Sequence, residues 1–204
     1  MLLSEIYGKM GRLKTAEIRV GGNPAVKKGG WNYMAPFSPR DVIAEYTRPA
    51  RVVRNGMMVT LPALTEKHSI EVKGRGTMEA FLTDGLRSVM SSIPAEEMSE
   101  YTVRWPGHIE RFVRERESNS LDIERLIGEW RFDSETPEFT WMEVSATDHA
   151  GNRMTWVVND SGGEDGSSMA RTTGLVTVGC IRAWIEDPGI CLLYTSDAAD
   201  DVIS

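Results

Sequence analysis

The chain is 204 residues long, 41% hydrophobic and 26% charged, with a net charge of -7 at pH 7. That balance is globular. It excludes a disordered chain, a collagen and a disulfide scaffold, and its acidity disfavours a general nucleic-acid binder, whose clustered Lys and Arg would meet phosphates. A small anion remains admissible, because a few arginines can line one pocket of an acidic protein. No run reaches the ~18–20 apolar residues that cross a bilayer, so no membrane role is expected, and no secretory signal is visible. The two cysteines, Cys180 and Cys191, fit free thiols in a reducing, cytoplasmic compartment.

In chain order, Leu2, Leu3, Ile6, Met10 and Leu13 predict a helix over residues 1–13. Residues 15–20 alternate as a strand that should stop at Gly21-Gly22. Residues 22–39 read as a long loop of Gly, Pro, Lys and aromatics, a length that favours a functional loop. Ser38-Pro39 then opens a short helix. Residues 50–61 read as a hairpin turning at Asn55-Gly56. Strands are expected at 67–73, 77–82 and 100–105, with a turn at Thr83-Asp84-Gly85-Leu86-Arg87 opening a short helix. A helix from His108 to about Glu117 and another around Leu121–Gly128 follow. A hairpin is expected from 138–147 and 153–159, then a Gly-rich link at 161–166 and a last long helix at 168–186. The pattern is α+β, with a mixed, mostly antiparallel sheet covered by helices.

Three kinds of chemistry find little support. A dinucleotide site needs Gly-x-Gly-x-x-Gly between a strand and a helix. The nearest stretch, Gly162-Gly163-Glu164-Asp165-Gly166, lacks the first glycine and carries two acids. None of His68, His108 and His149 has a His or Cys at ligand spacing. Cys180, amid Val178, Ile181 and Trp184, reads as a buried small hydrophobe, and no Gly-x-Ser-x-Gly elbow occurs. What remains are polar residues at strand ends and helix starts. Asp84 and Arg87 flank Gly85-Leu86, and Arg104 and His108 bracket Trp105-Pro106-Gly107. An Arg there can grip a carboxylate with two parallel hydrogen bonds, and a His there can exchange a proton. The structural alternative has Asp84 capping the next helix and Arg87 pairing with a neighbouring acid.

Six segments carry a resemblance. They are Val20-Gly-Gly-Asn-Pro24, Trp31-Asn-Tyr-Met-Ala-Pro-Phe-Ser-Pro-Arg-Asp41, Tyr46-Thr-Arg-Pro-Ala-Arg51, Gly76-Thr-Met-Glu-Ala-Phe-Leu-Thr-Asp-Gly-Leu-Arg87, Thr102-Val-Arg-Trp-Pro-Gly-His108 and Ser168-Met-Ala-Arg-Thr-Thr-Gly174. In that order, over roughly residues 1–190, they resemble the substrate-binding domain of the saccharopine dehydrogenase family, especially its shorter members close to lysine 6-dehydrogenase. The resemblance implies a C-terminal domain similar to those of dihydrodipicolinate reductase and glyceraldehyde-phosphate dehydrogenase, without the Rossmann domain. Residues 1–190 are then expected to be one substrate-binding domain truncated at its N-side. Residues 191–204 depart from the family's pattern and are expected to be an artefactual tail or a mobile terminus.

The implied function is the substrate-binding and dimerisation domain of an NAD(P)-dependent oxidoreductase. That enzyme acts on a C–N bond of an amino-acid derivative, and the domain alone is inactive. NAD or NADP belongs to the complete enzyme and none to this fragment, which is also assigned no metal. Arg104 and Arg87 are the implied carboxylate clamps, and Asn32, Tyr33, Phe37 and Ser38 the implied pocket lining. Asp84 is implied to hold an ammonium or to orient Arg87, His108 to act as the acid/base group, and Arg171 to face the nucleotide domain. Expected partners are an amino-acid-derived small molecule and, in the complete enzyme, a second subunit. The alternative is a non-catalytic ligand-binding or dimerisation module of the same fold. A domain lacking its neighbour should also expose apolar surface where that neighbour docks.

Overall fold

The computed structural model describes residues 2–27 and 30–186; the expected atypical tail, residues 191–204, lies outside them. Among the described residues eight strands form one sheet accompanied by six helices, an α+β architecture as the sequence predicts. Helix α1 (Leu2–Met10) leads into β1 (Leu13–Pro24). Then come α2 (Pro39–Thr47), the hairpin β2 (Ala50–Arg54) and β3 (Met57–Leu61), and a second hairpin, β4 (His68–Val72) and β5 (Gly76–Leu82). The short α3 (Val89–Ser92) precedes β6 (Ala95–Arg104), followed by α4 (His108–Glu117) and α5 (Ile123–Glu129). A long hairpin, β7 (Glu138–Asp148) and β8 (Arg153–Ser161), ends at α6 (Ser168–Glu186).

Local chemistry places these boundaries. Ser38 caps α2 by accepting from the Asp41 amide, and Pro39 occupies the first turn. Asp122 caps α5 through the Arg125 amide. Asn55 and Gly56 take φ of 52° and 74° at the β2–β3 turn, the left-handed pair that suits a tight hairpin. At the β7–β8 turn Asp148 accepts from the amides of Ala150 and Asn152.

The strands run in the order β3-β2-β6-β1-β7-β8, with β4 and β5 joined through β5 to β6. The β1–β6 pairing is parallel and the others are antiparallel. Strand β6 lies at the centre. It pairs with β2 at Met98, with β5 from Tyr101 to Arg104, and with β1 from Ala95 to Thr102.

Strand β1 runs past the predicted stop. Gly21 to Pro24 stay in register with β7, opposite Trp141 to Glu138. The glycines here permit close approach: a Cβ on Gly21 would sit 2.2 Å from the Val103 carbonyl oxygen. The long loop accordingly begins only after Pro24.

Three apolar clusters hold the layers. One lies under the helices: Trp31, Tyr33, Tyr46, Phe81, Phe112 and Trp130 interlock among α2, α4, α5 and the long loop. Another packs Val52, Met78, Leu82, Val103, Phe139 and Trp141 on the opposite side of β5 and β6. The third seats Leu3 and Ile6 of α1 on Leu13, Met98 and Val144. Helix α6 differs. Ser168 is its one buried residue, and Leu175, Ile181, Trp184 and Ile185 are exposed. Cys180, expected to be buried, is half-buried on this exposed helix. No helix among the described residues is long and apolar enough to cross a membrane.

Candidate functional site

Strand periodicity builds the site. Side chains alternate across a sheet, so Tyr101 and Val103 of β6 enter an apolar cluster while Glu100, Thr102 and Arg104 share the other face. There they line a cavity of about 220 Å³, closed by Ile18, Val20, Gly21 and Gly22 of β1, Glu45 of α2, the Thr83-Asp84-Gly85 turn, Phe37 and Met169.

Arg104 is 4% exposed, and among the described residues no carboxylate pairs with it. Its Nε donates to the Tyr46 hydroxyl at 2.8 Å, one terminal nitrogen to the Val103 carbonyl at 3.0 Å and the other to the Tyr33 hydroxyl at 3.4 Å. The guanidinium also lies 4.5 Å from the Tyr33 ring centre. These bonds use three of five N–H groups.

A relay orders this arginine from behind. The Tyr46 hydroxyl meets His108 Nε2 at 3.1 Å, and His108 Nδ1 meets the Trp31 carbonyl at 3.1 Å. A carbonyl can only accept, so the proton sits on Nδ1, Nε2 accepts from Tyr46, and Tyr46 accepts from Arg104. His108 is 2% exposed and lines neither this cavity nor the larger one below. Burial, and then the charge of Arg104, press its pKa down to about 3. Desolvation, the larger cause, favours the neutral ring.

Two carboxylates oppose Arg104. Glu100 is 4% exposed; its Oε2 accepts from the Thr83 hydroxyl at 2.6 Å and the Gly85 amide at 3.1 Å. Burial lifts its pKa to about 7, with Glu45 adding to the rise. Glu45 is raised too, again mainly by burial. Gly85 is required by proximity, since a Cβ there would lie 2.6 Å from the Glu100 carboxyl carbon.

The other residues singled out in the sequence divide between places. Phe37, Asp84 and Arg104 line the smaller cavity. The Asp84 carboxylate is engaged by Arg51, through its amide at 3.0 Å and its guanidinium at 2.9 Å, with Arg48 at 3.2 Å. It neither caps α3 nor pairs with Arg87. Hydrogen bonds from Arg51 hold its carboxyl below the usual range despite its burial. Arg87 is exposed on the turn with φ of 48°. Ser38 is the α2 cap. Asn32 and Tyr33 line a cavity of about 460 Å³ with Trp31, Arg111 and Glu129. Arg171 binds Asp160 at 2.7 Å and Asp165 at 2.5 Å beside β8.

The larger cavity is the weaker candidate. Arg111 pairs with Glu115 at 2.9 Å and stacks 4.0 Å above Trp31, and Glu129 accepts from Trp31 at 2.6 Å, so its charges are matched within the protein. The glycine-rich turn fares no better as a nucleotide cradle. It follows the antiparallel β8, Gly162 abuts the buried carboxylate of Glu138, and Glu164 and Asp165 flank it. Those residues do not fit a pyrophosphate.

Sequence reasoning missed Glu45, Thr83, Glu100 and Thr102. For two of them the signal was present: Glu100, Thr102 and Arg104 alternate with Tyr101 and Val103 inside a predicted strand. Glu45 reaches the cavity only by tertiary folding.

Among solved structures, the chain is similar to apo histidine-tagged saccharopine dehydrogenase (L-Glu forming) from Saccharomyces cerevisiae, with a TM-score of 0.59 and 13% identity. That likeness covers 82% of this chain and 57% of that one, and at such identity it shows the fold. In sequence, residues 1–125 match the family model described as the saccharopine dehydrogenase C-terminal domain. The match spans most of this chain and includes Glu45, Glu100 and Arg104 of the smaller cavity, and the chain belongs to that family.

Proposed function

We propose that this chain is the substrate-binding and dimerisation domain of a cytoplasmic NAD(P)-dependent oxidoreductase acting on a C–N bond of an amino-acid derivative. The observation that carries this reading is Arg104: a buried guanidinium facing a cavity, with donors to spare and no paired carboxylate. Glu45 lends it longer-range negative charge, but a buried charge without a directly bonded counter-ion is costly. A substrate carboxylate supplies that counter-ion and accepts two parallel hydrogen bonds.

In this reading the nicotinamide cofactor supplies hydride transfer and is held outside this chain. The chain's own part is to bind and orient. Arg104 takes the carboxylate, Phe37 walls the cavity, and Tyr46 with His108 fixes the guanidinium plane. His108 thus serves as a positioning residue, since it lines neither of the two cavities described above. Arg87, on the neighbouring turn, adds long-range positive potential, and Asp84 anchors that turn through Arg51. The exposed apolar side chains of α6, Leu175 and Trp184 among them, support docking of a further domain or subunit.

The test is Arg104→Gln, followed by heteronuclear NMR titration with L-lysine and with L-saccharopine. The expected result is saturable binding of at least one probe to the wild-type chain and at least tenfold weaker binding to the variant. Equal affinities in the two proteins remove Arg104 from the site.

A further inference from the structure

Glu100 is a buried carboxylate that the binding scheme above leaves unused. Both of its hydrogen bonds, from Thr83 and from the Gly85 amide, fall on Oε2. Among the described residues nothing donates to Oε1, and Glu100 lines the same cavity as Arg104. The two residues stand four positions apart on one face of β6, about 13 Å along the strand at ~3.3 Å per residue. One end of the cavity therefore offers spare cationic donors and the other a spare anionic acceptor, with Val20 and Thr102 between them in the wall. Glu45 brings a second carboxylate into the same space.

We infer that Glu100 is the amine-binding residue of this cavity. Its free Oε1 receives the protonated amine of a ligand whose carboxylate rests on Arg104, with a methylene chain spanning the interval. The inference rests on the reading of Arg104 as the carboxylate clamp. An ammonium donates a charge-assisted hydrogen bond that a carboxylate accepts strongly, and it relieves the repulsion between Glu100 and Glu45. Thr83 and Gly85 fix the carboxylate so that no rotamer search is needed on binding.

The test compares 6-aminohexanoate with hexanoate, which lacks the amine, on the full chain by NMR titration. The variants are Glu100→Gln, which keeps shape and loses charge, and Arg104→Gln. Expected is a loss of at least tenfold in 6-aminohexanoate affinity in Glu100→Gln, with hexanoate bound as tightly as by wild type or more tightly. Arg104→Gln should weaken both. The wild-type pH profile is a second readout that needs no variant. Glu100 must be ionised to take an ammonium, so 6-aminohexanoate affinity should fall as pH drops below 7. Hexanoate affinity should instead rise, because neutralising Glu100, with Glu45 beside it and Arg104 opposite, removes repulsion. If Glu100→Gln binds both probes as wild type does while Arg104→Gln loses both, the inference fails and the carboxylate clamp stands. Parallel pH profiles for the two probes also overturn it. If Arg104→Gln loses neither probe, the clamp itself fails.

Discussion

Arg104 illustrates what a buried charge demands of its neighbours. Tyr46 is fully buried and satisfies two partners at once, accepting from Arg104 and donating to His108. Its own ionisation is pushed well up by desolvation, so it stays a hydroxyl and keeps a proton to donate. Removing that one oxygen leaves a guanidinium donor and an imidazole acceptor unpaired in the core. Tyr46→Phe should therefore lose about 1–3 kcal/mol of unfolding free energy, although it adds no volume. Urea denaturation checks this, and a stability within experimental error of wild type would show that the relay is not a structural requirement. The residue scale also explains what the sequence does not show about His108. Its place at a helix start suggests a proton-exchanging side chain, and Trp31, Tyr33 and Trp130 surround the ring. Those aromatics come from the long loop and the end of α5, whose return to this point no local pattern announces.

At the scale of elements, the centre of the molecule is β6, buried over most of its length by neighbours on both edges and clusters on both faces. Its inward polar face tolerates Glu100 only because the following turn of β5 supplies Thr83 and the Gly85 amide. Gly85 is exposed, and its Cβ position points straight at Glu100. Gly85→Ala should cost about 1–3 kcal/mol through overpacking. The same substitution in a Glu100→Ala background should cost far less, and a double-mutant cycle measures that coupling. Additive effects would mean that Gly85 and Glu100 do not meet. Elements were the most legible level of this sequence. The Asn55-Gly56 turn, the Ser38-Pro39 helix start and the β7–β8 hairpin were all anticipated, because each is set by residues adjacent in sequence. The continuation of β1 through Gly21-Gly22 was not. It depends on the Val103 backbone pressing against a glycine from another strand, where the close approach outweighs the usual reading of paired glycines as a stop. The candidate site was half legible for the same reason. Arg104, Phe37 and Asp84 stood out from their motifs, whereas Glu45 reaches the cavity from a helix far earlier in the chain.

For the molecule as a whole, three apolar clusters hold the layers, and one cavity between β1, β6, α2 and the turn after β5 gathers a buried cation with two carboxylates. The larger cavity beside Trp31 offers more space but satisfies its own charges, so volume and chemistry point to different places. The exposed apolar side chains of α6 are a second whole-molecule feature, which the proposed reading accounts for as a docking surface. The central claim is that the smaller cavity, not the larger, receives the ligand. It is tested most directly by following side-chain resonances of the intact chain during a 6-aminohexanoate titration. The account predicts that the Arg104 Nε–H and Glu100 carboxyl signals shift saturably with one shared midpoint, while Asn32 and Arg111 stay still. Shifts confined to Asn32, Arg111 and Glu129, with Arg104 unmoved, would contradict it.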